Sequence, residues 1–131
     1  TITNANATGS VCPKGWKLPN ASSAFNNTKG SFYYMLSQYG VQSNLSGTSP
    51  VNGNTYNIAL SPLFFVRGGY INPDLTDKFG GTGRDGIYWS SRASSVTNSA
   101  YRLYFNNSYV YPSLSYYRYL GYSLRCLIST P

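Results

Sequence analysis

The residues able to do acid–base or nucleophilic chemistry are few. The carboxylates are limited to Asp74, Asp77 and Asp85, and the chain has no Glu and no His. A Ser–His–Asp or Cys–His arrangement needs an imidazole to take the nucleophile's proton, so both are excluded. A glycosidase pair needs carboxyls flanking a scissile bond, and here both would come from the one short stretch between Asp74 and Asp85. Cys12 and Cys126 are too few for a zinc site without His. Gly80-Gly81-Thr82-Gly83 suggests a phosphate cradle, but its spacing departs from G-x-x-x-x-G-K-[ST] and no strand–helix context surrounds it. A flexible turn is the simpler reading. The expectation is a non-catalytic domain that needs no metal and no cofactor.

Binding chemistry is better supplied. The 131 residues make one domain, long enough to bury a core, and the net charge of +7 favours an anionic partner. Nucleic acid is not expected. Lys14, Lys17, Lys29, Arg67, Lys78, Arg84, Arg92, Arg102, Arg118 and Arg125 are scattered singly rather than clustered. Nine of the fourteen tyrosines follow residue 86, at positions 88, 101, 104, 109, 111, 116, 117, 119 and 122. One sheet face cannot bury them all. Alternation places Tyr101, Leu103 and Phe105 inward and Arg102, Tyr104 and Asn106 outward. Val110 reads as inward, with Tyr109 and Tyr111 outward. Tyr122, Leu124 and Cys126 form a further alternating set. Tyr88, Tyr101 and Tyr122 therefore read as scaffold, with Trp16, Trp89, Leu103 and Phe105. Arg118 and Arg125 read as structural, bonding loop carbonyls. The outward remainder of Tyr, Ser, Asn and Arg is paratope chemistry: amphipathic area with little entropy to lose, plus adaptable hydrogen bonds. Such density of exposed tyrosine invites association, so it signals a binding surface.

The elements that must position these residues are short. Trp16 and Leu18 have strand spacing, bounded by Pro13 and Pro19. Phe32, Met35, Leu36 and Tyr39 fall at helical spacing and predict a helix over 30–39, with Gly40 as its C′ residue. Residues 41–57 read as a long loop. Pro62 to Ile71 reads as a buried strand bent at Gly68-Gly69. Strands are expected at Ile87–Arg92, Ala100–Asn106, Tyr109–Tyr111 and Tyr119–Ile128, joined by Ser/Asn-rich turns. The pattern is α+β, loop-rich, with short antiparallel strands and one or two short helices.

Cys12 and Cys126 lie near the two ends. They are not a C-x-x-C redox motif. Two buried thiols would be the plain alternative, but a disulfide joining the terminal segments is the better reading. Closing so long a loop contributes about 4–5 kcal/mol in the chain-entropy model. It implies an oxidising location, secreted or cell-surface. No apolar stretch is long enough to span a membrane. Residues 1–10 read as a polar leader or linker before a single domain at 11–131, a piece of a larger surface protein.

Three blocks stand in order: Cys12-Pro13-Lys14-Gly15-Trp16-Lys17-Leu18-Pro19, Gly86-Ile87-Tyr88-Trp89-Ser90-Ser91, and Gly121-Tyr122-Ser123-Leu124-Arg125-Cys126-Leu127. Together they resemble the CPxGWRLP, YWSS and xSxRCV pattern of bacterial surface domains called the major paralogous domain, first named from Fibrobacter. That family is similar to the C-type lectin-like and formylglycine-generating enzyme folds. A subset is similar to the variable proteins of diversity-generating retroelements, found in bacteria and related prokaryotes or viruses, where adenine-directed mutagenesis rewrites selected codons. The resemblance implies a C-type lectin-like fold with a variable, ligand-binding region at about 90–120. By position it implies ligand contacts at Arg92, Ser94, Arg102, Tyr104, Asn106, Asn107, Tyr109, Tyr111, Ser115, Tyr116, Tyr117 and Tyr119. The motifs of calcium-dependent sugar lectins are absent. Both cysteines fall in the structural blocks, so no thiol remains for formylglycine-type chemistry. The expected partner is a protein or cell-surface ligand, a glycan among them. A constant, calcium-independent carbohydrate-binding or adhesion module is the alternative.

Overall fold

Alternation at Tyr101, Leu103 and Phe105 produces the central strand of the fold, β5 (Ser99–Phe105). In the computed structural model it pairs antiparallel with β4 (Gly86–Ala93) on one side and β6 (Val110–Tyr117) on the other. The structure describes residues 11–21, 30–39, 58, 63–106 and 110–128. The leader at 1–10, Gly40 and the loop at 41–57 lie outside the described residues. The other strands among the described residues are two-residue pieces: β1 (Trp16–Lys17) pairs with β7 (Leu127–Ile128), and β2 (Tyr70–Ile71) with β3 (Phe79–Gly80), both antiparallel. With the helix α1 (Phe32–Gln38), the described residues form an α+β arrangement of small antiparallel sheets and one short helix.

The core lies on one face of the β4–β5–β6 sheet. Leu103 and Phe105 from β5, Tyr88 from β4 and Val110 from β6 meet Phe32 and Leu36 of α1, with Ile58, Leu63 and Phe65 between them. Phe65 is the hub of the aromatic packing. Its ring meets Tyr88 edge-on at 4.8 Å between centroids, and Phe32 and Phe105 each at 6.3 Å. Such T-shaped contacts align ring edges with ring faces, adding about 0.5–1.5 kcal/mol each beyond burial. α1 buries Phe32 and Leu36, four residues apart on one stripe, and Ser31 caps it by accepting the Tyr34 N–H at 3.1 Å.

Four features depart from the sequence reading. Of the described residues 63–71 in the segment 62–71, only Tyr70 and Ile71 form a strand. Leu63 and Phe65 are buried and Phe64 and Val66 exposed, as in a strand, but Phe64 turns into the left-handed region at φ 50°. Among the described residues no strand pairs with Val66; the Tyr88 hydroxyl accepts its N–H at 3.0 Å and donates to its carbonyl at 3.1 Å. The segment 119–128 is a strand only at β7, because a turn at 118–120 leads into isolated bridges from Gly121 to Ile71 and from Ser123 to Tyr88. β6 runs on through Pro112 to Tyr117 rather than stopping at Tyr111. The proline is tolerated because β6 is an edge strand and carries an extra residue between Tyr111 and Leu114, where the register with β5 shifts. Trp16 is not scaffold: it is 44% exposed.

Cys12 and Cys126 form a disulfide that closes 114 residues of sequence, beside the β1–β7 pair. A two-residue ribbon with Trp16 and Ile128 exposed has little apolar burial to hold it. The covalent link supplies what packing does not. A disulfide is compatible with an extracellular location. Among the described residues no helix is long and apolar enough to cross a membrane. Arg125 donates to the Leu63 carbonyl and lies over the Phe65 ring at 4.5 Å, and Arg118 donates to the Thr97 carbonyl. Both arginines are therefore structural, as their sequence context suggests.

Two stability outcomes follow from this packing. A Cβ on Gly86 would stand 2.0 Å from the Phe105 ring, which is itself fully buried. Gly86→Ala is expected to lose about 1–3 kcal/mol, measured by denaturant unfolding; an unchanged midpoint would show that the ring can yield. Reduction of the disulfide is expected to lower stability by about 2–5 kcal/mol, read as a fall in the same midpoint on adding reductant.

Candidate functional site

The face of the sheet opposite the core carries the other half of the alternation. By register Tyr104 stands between Ile87 of β4 and Tyr111 of β6, and Arg102 between Trp89 and Leu114. Tyr104 and Tyr111 bring their rings to 6.0 Å. Above this face two other segments return. The turn 81–85 brings Arg84 and Asp85, and the turn 118–120 with its bridge at Gly121 brings Tyr119, Leu120 and Tyr122. The result is a cavity of about 300 Å³, lined by Arg102, Tyr104, Tyr116, Tyr119 and Tyr122, with Tyr70, Asn72, Arg84, Asp85, Ile87 and Leu120 completing the wall.

Arg102 is the centre of the site. Its side chain faces away from the core, as the alternation predicts, yet only 7% of the residue is exposed. Tyrosines cover it. The guanidinium lies 4.5 Å from the Tyr116 ring centroid, 5.1 Å from that of Tyr104 and 5.2 Å from that of Tyr122. Each such contact contributes about 0.5–2 kcal/mol, more as water is excluded. Nη1 donates to the Tyr122 hydroxyl at 3.1 Å, and the buried Nε has no hydrogen-bond partner. Burial lowers the guanidinium's affinity for its proton, while Tyr122, Tyr104, Tyr116 and Asp85 act against that shift. An arginine stays charged through such a change.

Asp85 is engaged elsewhere. Its Oδ2 accepts from Arg84 Nη2 at 2.9 Å and Nε at 3.1 Å, and its Oδ1 accepts from the Tyr104 hydroxyl at 3.1 Å. The turn that holds it is glycine-built. Gly81 has φ +68°, and its ideal Cβ would stand 2.5 Å from the Asp85 carboxylate. The Asp85 and Arg84 N–H groups both donate to the Gly81 carbonyl, at 2.8 and 2.9 Å. Of the segment Gly80-Gly81-Thr82-Gly83, Gly80 ends β3 and the rest works as a turn that presents an acid to the cavity. Asn106 donates to the Tyr104 hydroxyl at 3.2 Å. Burial raises the Tyr104 hydroxyl above its usual value, with Asp85 adding to the rise and Asn106 opposing it.

The candidate residues named from the sequence divide into groups. Arg102, Tyr104, Tyr116 and Tyr119 meet at the cavity, with Asn106 and Tyr111 beside Tyr104. Tyr117 stacks on Tyr119 at 5.5 Å and meets Tyr116 edge-on at 5.2 Å, so the rim is an exposed tyrosine cluster. Arg92, Ser94 and Ser115 are not at the cavity. Arg92 lies over the Tyr101 ring at 5.8 Å, and Ser115 pairs with Tyr101 in the sheet. Ser94 is buried in the β4–β5 turn, where its Oγ accepts the Val96 N–H at 3.1 Å. A serine fixed in that way is a turn-former rather than a presented contact. Asn107 and Tyr109 lie outside the described residues. Alternation groups Tyr122 with the scaffold; it packs on Trp89 at 4.3 Å and also lines the cavity. Tyr70, Asn72, Arg84 and Asp85 were missed. The only signal for them in the sequence is that Asp85 is one of three acids and directly follows an arginine.

No family model, no curated protein and no solved structure matches this chain.

Burial pushes the Tyr122 hydroxyl up to about 12, against the pull of Arg102. The raised value means the folded state holds this proton more tightly than the unfolded chain. Stability from this group is complete below the ordinary tyrosine value of about 10 and is lost as pH rises through the folded value. Difference absorbance of phenolate formation is therefore expected to show a late-titrating tyrosine that disappears in Tyr122→Phe. Loss of the late phase from a different variant would reassign it.

Proposed function

We propose that this chain is a recognition domain of C-type lectin-like fold. Its tyrosine-rich face would be diversified by a retroelement and bind a protein or cell-surface target. The observation that carries the reading is the gathering of Tyr104, Tyr116, Tyr117, Tyr119 and Tyr122 around one cavity on one face, with the opposite face packed into the core. Tyrosine in this setting supplies contact area and hydroxyls with few rotatable bonds, so little entropy is lost on binding. Tyr119 is 55% exposed and Tyr116 44%, so rings at the rim are available to a partner without rearrangement. Arg102 beneath them would act as a buried, pre-positioned anchor. Substitution at the rim would change specificity while the sheet beneath stays the same, which is what codon-level diversification requires of a scaffold.

A second reading is favoured by the cavity itself. Its mixture of aromatic walls and paired donors and acceptors suits a constant, calcium-independent carbohydrate-binding module.

The coding DNA separates the two. A reverse-transcriptase gene beside an imperfect repeat of codons 90–120, differing only at template adenines, is the expected finding at the locus. A closed genome holding neither would sink the diversification reading and leave the constant module.

A further inference from the structure

Among the described residues only Asp85 and Arg102 are buried and charged, and both line the same cavity. They do not pair with each other. The one ion pair among the described residues joins Asp85 to Arg84, at 2.9 Å. Arg84 answers the carboxylate, so Arg102 is left with ring faces, one phenol acceptor and an Nε that meets no acceptor. A buried guanidinium without a carboxylate is an expensive arrangement unless something completes it. Two arginines against one aspartate leave a surplus of one positive charge in the wall.

We infer that the cavity binds a carboxylate-bearing sugar residue, a hexuronic acid unit of an acidic glycan, with Arg102 taking its carboxylate. The inference rests on the reading of this face as a recognition surface and names what it recognises. A single planar carboxylate matches both the surplus charge and the flat fork of the guanidinium. The volume favours a sugar ring over an acidic protein side chain. About 300 Å³ stands at the lower end of small-molecule sites, and a lone carboxymethyl group would leave most of it empty. The wall also offers what a ring needs beyond its acid. The Asn72 amide can donate to hydroxyls, while Tyr116 and Tyr119 present aromatic surface to C–H groups. A net charge of +7 draws a polyanionic glycan toward the surface.

Isothermal titration of the disulfide-intact chain at low salt, with three probes, tests this. Trigalacturonate is expected to bind. Its methyl ester, the same rings without the charge, is expected to bind at least about tenfold more weakly, as loss of a charge-assisted pair implies. A triglutamate peptide is expected to bind no better than the ester. Arg102→Lys keeps the charge but not the fork and should lose about tenfold in trigalacturonate affinity. Should that buried variant fail to fold, Tyr119→Ser at the exposed rim serves instead, with a several-fold loss expected in a chain of unchanged melting temperature. Equal binding of acid and ester, triglutamate binding as tight as trigalacturonate, or no binding of trigalacturonate each overturns the inference. The codon repeat is a separate readout. Its presence with trigalacturonate unbound overturns the sugar assignment alone, and its absence with trigalacturonate bound overturns diversification alone.

Discussion

Successive residues of a strand point to opposite faces, and in β5 that alternation ties the candidate site to the core. Leu103 and Phe105 are fully buried on the core side. Arg102 and Tyr104, one residue away from each, stand on the other side in the wall of the cavity. Neither set can move without the other. The position of Phe105 is in turn constrained by Phe65, by Tyr88 and by the absence of a side chain at Gly86. Aromatic packing thereby sets where a guanidinium sits on the far side of the sheet. A site built on a central strand in this way is held more firmly than one built on loops.

The remainder of the cavity comes from segments far apart in the chain. Ile71 and Gly121 exchange backbone hydrogen bonds at 2.9 and 2.8 Å, which places the turn carrying Tyr119 against the β2–β3 pair. Gly69 N–H donates to the Asp85 carbonyl at 2.8 Å, and Gly83 N–H to that of Arg67 at 2.8 Å, so the glycine turn is fastened to the same region. These are single bridges rather than long ladders. They suffice because the three-stranded sheet below them is packed and because the disulfide joins the segments that lead to and from them. The structure thus separates a well-packed sheet from a thin upper layer of loops. Binding surfaces commonly take this form, with loops positioned by a rigid scaffold.

The tyrosines serve two purposes with one chemistry. Tyr88 uses its ring for the core and its hydroxyl to satisfy the backbone of Val66. Tyr104 and Tyr122 use their rings to shelter Arg102 and their hydroxyls to bond Asp85 and the guanidinium. Farther out, Tyr117 stacks on Tyr119 and meets Tyr116 edge-on, and all three residues are exposed. The gradient runs from scaffold through anchor to rim. On the proposed reading it is the rim that can vary, because changes there do not reach Phe105.

Local physics in the sequence alone determined much of this. The lack of His and Glu limits the chemistry. The period-2 pattern at 100–106 places Leu103 and Phe105 inward and Arg102 and Tyr104 outward. The helical spacing of Phe32 and Leu36 yields α1, and the two cysteines near the ends form the disulfide. Tertiary structure alone decided the rest. Alternation reports which face a side chain takes but not what later covers that face, so Arg102 reads as exposed until Tyr116 and Tyr122 are brought over it. Strand existence depends on a partner, so the described residues 63–71 of that apolar segment form a strand only at Tyr70–Ile71. Pro112 sits inside β6 because an edge strand with an extra residue can accept it. Asp85, Asn72 and Tyr70 reach the cavity through turns and single bridges between distant segments. No spacing in a linear sequence encodes that meeting, because it is set by long-range contacts rather than by local periodicity.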